Sequence, residues 1–245
     1  MGTSNRGQRT MSGARAKVLG QIRAALDRGG SARAPRAELD ERVRNPQANL
    51  IPGRATVSSA ERVDLFVQMA EEASATVARV ARDEDVPGAV LDYLRSQNLA
   101  PKVVMAPDLD RIDWTKAPLI EIRRGAAVPD DVVSVTGAFA GIAETGTLMM
   151  VSGPGHPTTL NILPETHVVV VGREQILGAY ENGWAKLRTS RRHEGGEWMM
   201  PRTVNFITGP SRSADIEQKL QMGAHGPRRV HIVLVDSGLG HGGSQ

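Results

Sequence analysis

His167-Val168-Val169-Val170-Val171 is the stretch that decides the fold. Its valines run without polar alternation, as expected for a strand covered on both faces rather than one with a wet side. Working outward, residues 147–151, 203–208 and 229–235 are further strong apolar runs, and residues 76–80, 102–106, 119–122 and 132–136 are weaker β-like ones. Helical spacings lie between them. Val63, Phe66, Val67 and Ala70 form one stripe behind the capping residues Ser58-Ser59. Residues 87–97 carry Pro87 in a first turn, residues 173–187 place Ile176, Leu177, Tyr180, Trp184 and Leu187 on one face, and residues 213–222 complete the set. Strand and helix alternate, so the expected fold is α/β, an open and mainly parallel sheet with helices on both faces.

Three segments are expected: an N-terminal helix and basic arm over residues 1–56, the α/β domain over 57–237, and a flexible Gly-rich tail over 238–245. In the first, Val18, Leu19, Ile22 and Leu26 share a helical face, and residues 31–55 read as an extended arm. So short a helix is not stable alone in water. It is expected to dock either on the domain or on a second subunit, the latter giving a homo-oligomer through the arm. The arm is basic: residues 1–54 hold 11 Lys and Arg against 4 Asp and Glu, while the remainder holds 19 against 23. Nucleic-acid binding fits the arm alone, because the rest is mildly acidic and the whole chain has only three Phe, three Trp and two Tyr for stacking. No apolar run approaches the roughly 18 residues of a membrane span, and no signal-peptide core is present. A cytoplasmic protein without membrane contact is expected.

The absence of cysteine excludes disulfides, thiolate-held clusters and thiol catalysis within these 245 residues. The histidines at 156, 167, 193, 225, 231 and 241 show no metal-binding spacing. No metal site and no cofactor are therefore expected, and His167 and His231 read as packed strand residues. Between Gly137 and Gly172 only Glu144 and Glu165 are charged. Glu144 lies in Gly141-Ile142-Ala143-Glu144-Thr145-Gly146-Thr147, among small residues that let a ligand approach the backbone. Its carboxylate is either desolvated and functional, or satisfied by Thr145 and Thr147 as part of a turn. A second candidate is the strand–turn Gly209-Pro210-Ser211-Arg212-Ser213 leading to Ala214-Asp215. A helix beginning there would offer N–H donors and a positive dipole to an anion, with Arg212 as cation and Ser211 and Ser213 as hydroxyls. The same turn approaches a nucleophile elbow, but Ser213 replaces its last Gly. A third turn, Gly223-Ala224-His225-Gly226-Pro227, sets His225 as either an anion donor or a backbone-bonded residue. Gly153-Pro154-Gly155-His156-Pro157 fits no phosphate-loop pattern and reads as a plain turn.

The first motif, together with Leu160-Asn161-Ile162-Leu163-Pro164, the valine strand, the run from Phe206 to Glu217 and the His225 turn, resembles the LUD-domain family, typified by lactate-utilisation protein C. The resemblance spans roughly residues 60–236. It implies a fold similar to the NagB, ribose-phosphate isomerase and CoA-transferase group, and an accessory part in oxidising L-lactate to pyruvate beside iron–sulfur subunits. It marks Glu144, Thr145, Gly146, Thr147, Gly209, Ser211, Arg212, Asp215, His225 and Gly226 as site residues. The expected ligand is a small anion at the converging turns. A rival reading is a stand-alone isomerase or acyl-transferase with Glu144 as base or nucleophile.

Overall fold

The computed structural model describes residues 7–28, 36–190, 200–213, 221–223 and 225–237. Packing divides the chain into Met1–Ala48 and Asn49–Gln245. The first unit holds α1 (Gly7–Arg28) and α2 (Arg36–Arg44), and the apolar Val18, Leu19 and Ile22 of α1 are exposed. Helix α2 falls where the sequence suggests an extended arm. Its Glu38 sits in the first turn, favourable to the helix dipole, and its lack of an apolar stripe hides it from periodicity.

The second unit runs α3 (Ser59–Glu72), β1 (Thr76–Val80), α4 (Val86–Ser96), β2 (Lys102–Met105), β3 (Glu121–Arg124), β4 (Val133–Gly137), β5 (Ala140–Ile142), β6 (Thr147–Val151), α5 (Thr159–Ile162), β7 (Thr166–Gly172), β8 (Ile176–Leu177), α6 (Tyr180–Ser190), β9 (Val204–Ile207), β10 (Arg212–Ser213), β11 (Gln221–Met222) and β12 (Arg229–Val235). Helix α3 begins as its sequence dictates. Ser58 Oγ accepts from Glu61 N at 3.4 Å, and Ser58 N donates to the Glu61 carboxylate at 3.0 Å, a reciprocal cap.

Six strands form an all-parallel sheet in the order β1-β12-β7-β4-β2-β3. Strand β7 is buried at every position because each face has its own core. Val168 and Val170 pack with Val90 and Leu94 of α4, whereas Val169 and Val171 pack with Phe66 and Ala70 of α3 and with Leu148 and Met150. The α/β class with a parallel sheet and flanking helices is what the valine run implies.

Two strand runs join a different sheet. Strands β6 and β9 pair antiparallel within a second sheet of order β8-β5-β6-β9. The expected helix over 173–187 starts only at Tyr180. Residues Arg173–Gln175 form a 3-10 turn, and Ile176 and Leu177 pair with Gly141 and Ile142. Two adjacent apolar residues suit either period, and pairing to β5 decides for strand. The expected helix over 213–222 is also corrected at both ends, since Arg212–Ser213 pairs antiparallel with Gln221–Met222. Residues 214–220, Asp215 among them, and the expected tail 238–245 lie outside the described residues. Among the described residues no helix is long and apolar enough to cross a membrane.

Candidate functional site

The turn between β5 and β6 carries the first motif. Gly146 adopts φ +63°, and an added Cβ would lie 2.2 Å from Ala70 N and 2.4 Å from Met69 C. The turn therefore rests directly on the backbone of α3. Gly209, at φ +68°, makes the same kind of approach further along, where a Cβ would meet Ala73 O at 2.0 Å. Arg212 Nη2 donates to that same Ala73 O at 2.5 Å, placing a cation on the carboxyl end of α3. The first and second motifs thus meet on one helix end.

Hydroxyls join them. Thr147 Oγ1 lies 2.6 Å from Thr208 Oγ1 and 2.7 Å from Thr145 Oγ1, and the Tyr180 hydroxyl lies 2.9 Å from Thr147 Oγ1 and 3.0 Å from Thr145 Oγ1. Phe206 packs edge-on against the Tyr180 ring at 5.2 Å and against Trp184 at 5.5 Å. Glu144 lies beside this cluster, 5% exposed. Its backbone N donates to Gly178 O at 3.1 Å, and its Oε1 accepts from Tyr180 N at 3.1 Å at the start of α6. A carboxylate there satisfies an N–H that the helix leaves free and complements the dipole. Thr145 and Thr147 bond to each other and to Tyr180 rather than to Glu144. On this geometry Glu144→Ala is expected to cost about 1–2 kcal/mol, and Glu144→Gln, which keeps an acceptor oxygen, much less. Urea titration of the two variants checks the difference.

The third turn closes on the second through Ser211. Ser211 N donates to Pro227 O at 2.8 Å, Ser211 O accepts from Gly223 N at 2.9 Å, and Ser211 Oγ accepts from His225 N at 3.3 Å. A Cβ on Gly226 would stand 3.5 Å from Ser211 Cβ. Arg212 and His225 are exposed at this junction. Glu144, Thr145, Gly146, Thr147, Gly209, Ser211, Arg212, His225 and Gly226 are accordingly gathered around the end of α3 and the turns behind it. Ser213 is present as a strand residue, and Asp215 is not described.

A second polar group gathers at the other end of β6, where sequence reasoning read only a turn. His156 Nδ1 lies 3.3 Å from Asp108 Oδ2, His156 Nε2 lies 2.9 Å from Asn161 Oδ1, and Asn161 Nδ2 reaches Asn205 Oδ1 at 3.4 Å. His156 is 6% exposed and Asn161 1%. Nearby, the imidazole of His167 is held by Thr136 Oγ1 at 2.8 Å, and burial, with His156 as the lesser cause, pushes its pKa down to about 3. Asp108, His156 and Asn161 are spread over 54 residues and share no motif. The one sequence signal was Asn161, polar between the apolar Leu160 and Ile162-Leu163. Among the described residues no group of three or more His, Asp or Glu could hold a metal ion.

Residues 63–235 match the LUD domain. The chain belongs to the LUD domain family. Lactate utilization protein C from an Exiguobacterium species is 36% identical over 126 residues, covering 51% of this chain and 53% of that protein. The protein of the same name from a Geobacillus species is 35% identical over 103 residues, covering 42% of each. The chain thus spans about half the length, or less, of the curated relatives it matches. The crystal structure of a DUF162 family protein from Deinococcus radiodurans superposes with a TM-score of 0.55 at 22% identity, covering 73% of this chain and 99% of the other. That likeness establishes a shared fold for this LUD domain.

Proposed function

We propose that this LUD-domain chain is a component of a system oxidising L-lactate to pyruvate, and that it holds a small anion where the Ser211 and His225 turns meet. The lactate half rests on membership in the LUD family and on relatives named lactate utilization protein C. The ligand half rests on one observation: Ser211 ties the two turns together by three hydrogen bonds and leaves Arg212 and His225 exposed at the seam. A guanidinium has five N–H donors, and Ala73 takes one. Lactate oxidation releases two electrons, and this chain has no cysteine with which to hold an iron–sulfur acceptor. In this reading the electrons pass to partner subunits, which are iron–sulfur proteins. The rival acyl-transfer reading is less favoured, because Glu144 is buried and its Oε1 accepts from a helix N–H.

Deleting the gene is expected to abolish growth on L-lactate as sole carbon source. The wild-type chain should restore growth, Arg212→Gln should restore it poorly, and affinity purification should bring iron–sulfur proteins with the chain. Normal growth of the deletion strain on L-lactate would refute the reading.

A further inference from the structure

Strands β7 and β12 lie side by side, and the segments leaving their carboxyl ends meet the amino end of α3. In an open parallel sheet the carboxyl end is the one at which ligands bind. A cleft of about 280 Å³ opens there, lined by Ser59 and Arg62 of α3, Arg173 and Glu174 after β7, and Asp236 and Ser237 after β12. Backbone bonds fix the β12 side: Asp236 N donates to Val80 O at 2.9 Å and Ser237 N to Ala81 O at 3.0 Å. The volume suits a small ligand, since it lies just below the usual range for drug-sized ones.

The charges around this cleft are unevenly matched. Asp236 accepts from Arg79 Nη2 at 3.1 Å, and Arg79 Nη1 reaches the exposed Asp64 at 3.0 Å. Glu174 acts on Lys186, where burial pulls the ammonium pKa down and this carboxylate opposes the fall. Both lining carboxylates therefore have a cation outside the cleft. The two lining arginines have no such match. Arg62 is partly buried, and its Nε is shielded from solvent without a partner among the described residues. Its Nη2 makes only a long contact to Val57 O, at 3.5 Å. Arg173 is exposed and makes no ion pair among the described residues. A partly desolvated guanidinium without a counter-charge is costly, and two such cations on one small cleft repel each other until an anion is bound.

We infer that this cleft binds a phosphate group, either free or at the end of a small phosphomonoester. A guanidinium presents its N–H donors as a fork that fits phosphate oxygens in pairs. Two forks match a dianion with three free oxygens better than the single charge of a monocarboxylate, and Ser59 adds a hydroxyl donor. Arg62 and Arg173 are the binding residues in this arrangement. The site stands apart from the Ser211 seam, because α3 separates Ser59 here from the Ala73 carbonyl there, and its 14 residues span about 21 Å. No small ligand touches both, and the inference does not depend on the lactate reading.

The test is calorimetric titration of the full chain, near neutral pH, with inorganic phosphate and with glycerol 3-phosphate, and with acetate as the monoanionic control. Saturable binding of at least one phosphate compound is expected, with acetate at least tenfold weaker. Arg62→Gln and the surface change Arg173→Gln should each weaken that binding at least tenfold. Arg95→Gln, which alters an exposed arginine of α4 paired with Asp92 at 3.8 Å, should leave it unchanged. Tighter binding of glycerol 3-phosphate would support the inference with a phosphomonoester as ligand, and tighter binding of inorganic phosphate would support it with the free ion. Absence of saturable binding, acetate binding as tightly as phosphate, or undiminished binding in folded Arg173→Gln would each overturn it. An equal loss in Arg95→Gln would reveal a diffuse surface attraction and overturn it as well.

Discussion

Gly146→Ala is expected to destabilise the protein by on the order of 3–5 kcal/mol. The left-handed backbone at φ +63° costs an alanine roughly 1–2 kcal/mol. The larger part is steric: the new Cβ would lie 2.2 Å from Ala70 N and 2.4 Å from Met69 C, and neither can rotate away because both belong to the α3 backbone. Either the β5–β6 turn lifts or the end of α3 shifts, an overpacking cost of about 1–3 kcal/mol or more. Lifting the turn also separates Thr147 from Thr208 and Tyr180, so three polar groups lose short partners. Against the 5–15 kcal/mol typical of a folded domain, this is a large fraction. Guanidinium unfolding should show a clear fall in midpoint. Gly209→Ala, with Ala73 O at 2.0 Å, should behave alike, and Gly153→Ala, with open space around it, should change stability by less than about 0.5 kcal/mol. Equal midpoints for Gly146→Ala and Gly153→Ala would contradict the packing described.

Acid should destabilise the protein through two buried histidines. Burial pushes His167 down to about 3 and His231 down to about 4. His231 stacks on Tyr93 at 3.8 Å and bonds Thr76 through Nδ1 at 2.8 Å, and neither contact supplies a counter-charge. An unfolded histidine takes up its proton near 6.5. Between that pH and the folded values the unfolded chain binds protons that the native chain refuses, so stability falls as pH drops. By pH 4.5 the two losses are roughly 3 kcal/mol each. The melting temperature should therefore decline steadily from pH 6.5 to 4.5. His231→Phe, which keeps the ring stack and removes the proton site, should give a shallower decline, as should His167→Leu. A melting temperature independent of pH across that interval would rule the account out.

Strand positions were readable in this sequence because burial on both faces leaves a mark that needs no partner to be known. Residues 167–171 and 230–235 contain nothing polar enough for solvent beyond two histidines, and those histidines are buried in the sheet. The Ser58–Glu61 cap was equally legible, since its four residues hold the whole interaction. The motif turns could be marked as special by their glycines and lone charge, but not given a task. Whether Glu144 works as a free carboxylate or anchors α6 depends on Tyr180, 36 residues away.

The sequence by itself determined the α/β class, the strands of the parallel sheet and the small-residue turns, because periodicity, capping and glycine content are local properties of the chain. Only the tertiary structure decided that β6 and β9 leave the parallel sheet for a second one, that Gly146 and Gly209 rest on the same helix end, and that Asp108, His156 and Asn161 join in one hydrogen-bonded group. Those outcomes depend on pairing between distant segments, where the winning arrangement is set by which surfaces fit and which polar groups find partners. No short stretch of chain carries that information.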